Sequence, residues 1–74
     1  MKYYIEETLP NNKRDYWIVE TETLAQAQEI ADRKSYSDQT CIDIGTEYDH
    51  MGLIGKPILC HRGRNGKWIN YKEA

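Results

Sequence analysis

Phenylalanine is absent from this sequence of 74 residues, and cysteine, proline and methionine occur twice each. No apolar run approaches the ~20 residues of a membrane-spanning helix. The first residues, MKYYIEET, lack the apolar stretch of a signal peptide. These absences predict a cytoplasmic protein, in which Cys41 and Cys60 stay free thiols rather than pairing in a disulfide. Repeats, low-complexity tracts and linkers are missing too, so residues 1–74 read as a single domain. A chain this short is only marginally stabilised by burial. It has little capacity for a deep pocket, which takes upwards of about 300 Å³. A surface that recognises a partner is the more economical use of so few residues.

Signatures of catalysis are also wanting. No nucleophile elbow, phosphate-binding glycine loop or H-E-x-x-H pattern occurs. Cys60 and His61 are adjacent, but neighbours on a strand point to opposite faces and cannot serve each other. Cys41, His50, Cys60 and His61 include no close cysteine pair of the kind that closes a zinc chelate. The expectation is a protein that is not an enzyme and holds no metal or cofactor.

What is present is tyrosine, six times over, and charge at 30% of residues. A tyrosine ring suits half-exposed sheet faces and contact surfaces, and at least three of the six are expected to do the core work of the missing phenylalanine. The net charge of −2 conceals an asymmetry. Residues 1–49 hold eleven acids against five bases, whereas residues 50–72 hold Lys56, Arg62, Arg64, Lys67 and Lys72 with no acid. Such a split speaks to partners rather than to fold.

Along the chain, Lys2–Thr8 alternates as a strand does, LPNNKR at 9–14 is turn chemistry, and Asp15–Thr21 reads as the second arm of a hairpin. Thr23 followed by Gln26 is a capping-box pattern. Leu24, Ala27, Ile30 and Ala31 then share one helical face, predicting about three turns that end before Ser35. Thr40–Tyr48 returns to strand character, with Ile42 and Ile44 on one face and Cys41 and Asp43 on the other. Residues 49–56 read as a loop. Pro57–Gly63 and Lys67–Lys72 are two further strands joined at Asn65-Gly66, a signal for a two-residue type I′ turn. The predicted fold class is α+β: an antiparallel sheet of about five strands, ordered β-β-α-β-β-β, with one helix on one face. The other face is expected to be wet or a contact surface.

In the last hairpin Arg62, Arg64, Lys67 and Lys72 alternate with Trp68 and Tyr71. A basic ribbon with aromatics can follow a phosphate backbone and stack on bases, so direct nucleic-acid binding is one reading. Bases on an edge strand also discourage strand addition, and Trp68 can equally lie under the helix.

Three segments, YYIEE at 3–7, WIVETETLAQAQEIADRK at 17–34 and GKWINY at 66–71, resemble the ninth family of type I-F anti-CRISPR proteins. They span under half of the chain. The resemblance implies a small phage or prophage protein of antiparallel strands around one helix. Such a protein binds the RNA-guided CRISPR–Cas effector with its guide RNA and blocks target DNA. It also implies contacts from bases on and just after the helix. The family's helix-interior basic pair is Gln28 and Glu29 here, and Arg33 and Lys34 are the nearest basic matches. The segment at 45–64 is longer than its counterpart. The expected partner-binding residues are therefore Arg33, Lys34 and Tyr36 after the helix, with Arg62, Arg64, Lys67 and Tyr71 on the hairpin. The expected oligomeric state is a monomer or a weak dimer.

Overall fold

The computed structural model describes residues 1–71. Strands β1 (Lys2–Thr8) and β2 (Arg14–Glu20) precede helix α1 (Leu24–Lys34); β3 (Cys41–Gly45), β4 (Ile58–Arg62) and β5 (Trp68–Asn70) follow it. The sheet is ordered β2-β1-β3-β4-β5, and every neighbouring pair is antiparallel. This is the expected α+β arrangement. β1 spans the predicted residues and β2 is shifted by one, but the last three strands are shorter than their sequence patterns; β3 stops at Gly45, where the register with β4 shifts. The last strand ends at Asn70, and the part of the expected strand at Lys72 lies outside the described residues.

Helix α1 starts where the capping box places it. The Gln26 N–H donates to the Thr23 hydroxyl at 3.2 Å, and the Gln26 side chain accepts the Thr23 N–H at 3.1 Å. Its Ala27 and Ala31 are fully buried, with Leu24 and Ile30 packed partly against the same core. The small alanines let the backbone lie close to the sheet. Facing them are Tyr3, Ile5, Val19, Ile42, Ile44 and Cys60. Burial of each large aliphatic here contributes about 1.5–3 kcal/mol before entropy is counted. Of the tyrosines only Tyr3 belongs to this core. Ile5, Ile42 and Ile44 are the largest fully buried aliphatic side chains.

The opposite face is not simply wet. After β3 the chain from 46 to 56 folds back over it. Tyr48 stacks on Tyr4 with ring centroids 5.3 Å apart and meets Tyr16 edge-on at the same distance. Leu53 is buried, and Gly52 takes a left-handed φ of 71° close under the Tyr16 ring. The Lys56 ammonium bonds Asp49 at 2.7 Å and holds that carboxyl below its usual range. That face therefore offers only what the loop leaves bare.

Both hairpins close with the same turn. The Leu9 N–H donates to the Lys13 carbonyl and the Asn12 N–H to the Leu9 carbonyl, with Asn12 at φ 65°. The Gly63 N–H likewise donates to Lys67 and the Gly66 N–H to Gly63, with Gly66 at φ 79°. In each case the Asn before the left-handed residue, Asn11 or Asn65, accepts a bond from the lysine N–H two residues on. The Asn65-Gly66 turn is thus a three-residue loop with one left-handed position, not the two-residue type I′ turn that the dipeptide predicts. A type I′ turn requires positive φ at both residues, and Asn65 does not have it.

Candidate binding surface at the basic end of the sheet

Strand direction decides which loops meet. β1 and β4 both end, and β3 begins, at the same end of the sheet, as the pairs Thr8↔Cys41 and Ile42↔Arg62 require. The helix C-terminus points the same way. The turns at 9–13 and 63–67 and the connector at 35–40 are gathered there from three separate stretches of sequence.

Arg62 holds this end together from within. It is 2% exposed, and its guanidinium donates to the Asp32 carboxylate at 2.8 Å, the Ser37 carbonyl at 2.7 Å and the Thr40 carbonyl at 3.1 Å. It also reaches the Thr40 hydroxyl at 2.9 Å, and that hydroxyl in turn donates to buried Glu7. Glu7 accepts the Tyr36 N–H at 2.9 Å, and Asp32 accepts the Trp68 indole N–H at 3.1 Å. One continuous polar network therefore links β1, α1, the connector, β4 and β5. Buried charges persist only when paired and bonded in this way. The expectation that Arg62 touches a partner is thus corrected. The strand pairing that puts Ile42 and Cys60 under the helix also puts Arg62 there.

The other expected residues divide. Lys34 ends the helix, Tyr36 is 68% exposed on the connector, and Arg64 and Lys67 are exposed on the second turn. Tyr36, Arg64 and Lys67 lie at the common end, whereas the Lys34 side chain, although at the helix C-terminus, lines a groove on the helix flank with Val19, Glu20, Ile30 and Arg33. Arg33 also borders Glu29 there. Acidic neighbours make that a poor seat for a phosphate. Tyr71 lies beyond β5, which runs away from the turn; its N–H bonds the Leu59 carbonyl at 3.0 Å. Lys13, in the first turn, joins the basic end. Sequence reasoning passes it over because it is distant along the chain from the basic hairpin. The signal is there in the shared Asn-x-Lys spacing of the two turns.

Between the turns lies a half-open cleft of about 310 Å³, lined by Thr8, Leu9, Pro10, Ser37, Cys41 and Arg64 among others. Asp38 is the acid nearest it on the connector, its carbonyl packed against Gly66. The cleft therefore offers one cation together with hydroxyls and apolar side chains.

His61 and Asp43 form a second polar pair on the loop-covered face, with Nδ1 to Oδ1 at 2.7 Å. Cys60, its strand neighbour, points into the core, where burial raises its pKa. Among the described residues no cluster of three metal-ligating side chains occurs, and no helix is long and apolar enough to cross a membrane.

No family model, curated protein or solved structure matches this chain.

Proposed function

We propose that this chain is a stoichiometric inhibitor of CRISPR–Cas immunity. Its basic end docks onto an RNA-guided effector in the bacterial cytoplasm and keeps target DNA out. The observation that carries the reading is that the turns bearing Lys13, Arg64 and Lys67 and the helix end bearing Lys34 lie at one end of the sheet, where Tyr36 is bare on a connector that the buried network anchors. Cations so placed make charge-assisted bonds to guide phosphates or effector carboxylates. A fixed tyrosine adds contact area at little entropic cost. Pairing between guide and target is nearly balanced in energy, so occlusion of a short stretch stops it. The resemblance of residues 3–7, 17–34 and 66–71 supports the choice of partner, and the chain acts by binding, without turnover.

The test is phage plating on a host with active type I-F immunity. Expression of the chain should raise plating efficiency to that of an immunity-deficient host, and the Lys34→Glu/Arg64→Glu/Lys67→Glu variant should not. Unchanged plating with the wild-type chain across several CRISPR types would remove this reading. The exposed Tyr36 at the same end of the sheet as the bases of the two turns also favours a second one, direct binding of nucleic acid. In that case free DNA or RNA binds with affinity falling steeply with salt, the logarithmic slope being about −0.9 per phosphate contacted on duplex DNA.

A further inference from the structure

The two edges of the sheet are β2 and β5. β5 has three residues and offers little to a neighbour, whereas β2 has seven, with no proline, bulge or lysine to deter pairing. Natural sheets blunt long edges by such devices. From Tyr16 to Val19 this edge carries no charge at all, and Tyr16 and Ile18 are 40% and 60% exposed.

The ladder shows which groups on β2 are free. Thr21 exchanges two bonds with Met1, at 3.0 and 2.8 Å, and Lys13 accepts from Leu9 at 2.7 Å. Bonded positions alternate along an antiparallel strand. Residues 13, 15, 17, 19 and 21 therefore bond inward to β1, while Arg14, Tyr16, Ile18 and Glu20 turn their backbone N–H and C=O outward. The same four residues carry their side chains on the face away from the helix, beside Lys2, Tyr4 and Glu6 of β1.

We propose that β2 pairs antiparallel with β2 of a second copy of this chain, about a two-fold axis at Trp17. Charge complementarity selects the partner and the register. With Trp17 opposite Trp17, the outward-bonding residues pair as Arg14 with Glu20 and Tyr16 with Ile18, and each pair occurs twice by symmetry. All four are bonded pairs. Opposite charges and aromatic against β-branched side chains are favourable cross-strand neighbours. A shift of two residues sets Tyr16 against Tyr16 or Ile18 against Ile18 and leaves no Arg–Glu pair within β2. In the self-complementary register two five-stranded sheets become one continuous sheet. The two basic ends then point in opposite directions and both stay open, so dimerisation stands or falls independently of the proposed inhibition.

The experiment is sedimentation equilibrium over a wide concentration range. The wild-type chain should pass from 8.7 kDa to twice that mass as concentration rises. Arg14→Glu and Glu20→Arg should each remain monomeric, since like charges then face each other. Mixed in equal amounts the two should associate, because the acidic edge of the first variant then meets the basic edge of the second at both charged pairs. Circular dichroism checks that each single variant is folded. Should one fail to fold, the doubly reversed variant, which restores every pair in a homodimer, takes its place. A wild-type chain monomeric up to millimolar concentration overturns the proposal. So do single variants that associate like wild type, and charge-reversed partners that fail to recover association.

Discussion

The two hairpins of this protein share a turn and differ in what anchors them. In the first, β1 lies inside the sheet, between β2 and the central β3, and sends Tyr3 and Ile5 into the core. The turn at 9–13 merely caps strands that burial already holds. In the second, β5 pairs over three residues only. Its attachment to the rest of the fold is largely polar: Arg62 on the connector carbonyls, Trp68 on Asp32, and Asn70 accepting from the Gln28 amide at 2.6 Å. The difference teaches that one basic hairpin can hold bases of opposite burial. Arg62 is buried in the polar network, and Arg64, two residues later, is exposed.

Arg62→Leu should break the comparison most. It strands the Ser37 and Thr40 carbonyls and leaves Asp32 and the Thr40–Glu7 pair without their cation. A loss on the order of 3–5 kcal/mol is expected, read by chemical denaturation. The same variant should expose Cys60. In the native protein the half-exposed Cys41 thiol should react first with an alkylating reagent and buried Cys60 far more slowly. Opening of the second hairpin should bring the two rates together.

Substitution in the two turns sharpens the contrast. Gly66→Ala forces an L-residue into left-handed geometry at a cost of roughly 1–2 kcal/mol. A Cβ there also comes within 3.0 Å of the Asp38 carbonyl. Asn12 occupies the equivalent position in the first turn and already bears that strain in part. Asn12→Gly should therefore raise stability by under ~1 kcal/mol. Thermal melting of the pair should move in opposite directions. The smallest effect on stability belongs to Arg64→Glu/Lys67→Glu. Both side chains are exposed, so the change in folding free energy should stay within about 0.5 kcal/mol.

Much of the fold is legible because its signals are local. The capping box at Thr23, the Leu24–Ala27–Ile30–Ala31 face and the alternation of β1 each depend on a few neighbouring residues, and each is found where the sequence predicts it. The opposition of Cys60 and His61 follows from strand pleating alone. Less visible is whatever depends on register between distant strands. That Arg62 faces Ile42 and the helix, rather than solvent, follows from the β3–β4 pairing, and nothing in the order of charges along the hairpin reveals it. The same is true of Lys13, brought to the same end of the sheet as Arg64 by topology, and of His61 with Asp43. Tyr48 and Leu53 read as part of a strand end and a loop, because a loop folding back over a sheet has no periodicity. The type of the second turn escapes for a narrower reason. Asn-Gly signals left-handed geometry, but whether one residue or two adopts it depends on where the strands resume.

The central claim is that the outward cations of the basic end, and not the buried one, hold the partner. It is tested most directly by affinity capture with tagged wild-type and Lys34→Glu/Arg64→Glu/Lys67→Glu proteins from a lysate carrying a type I-F effector, with both baits checked for equal melting. The account predicts a stoichiometric effector complex with its guide RNA on the wild-type protein and none on the equally stable variant. Equal recovery of that complex on both would contradict it.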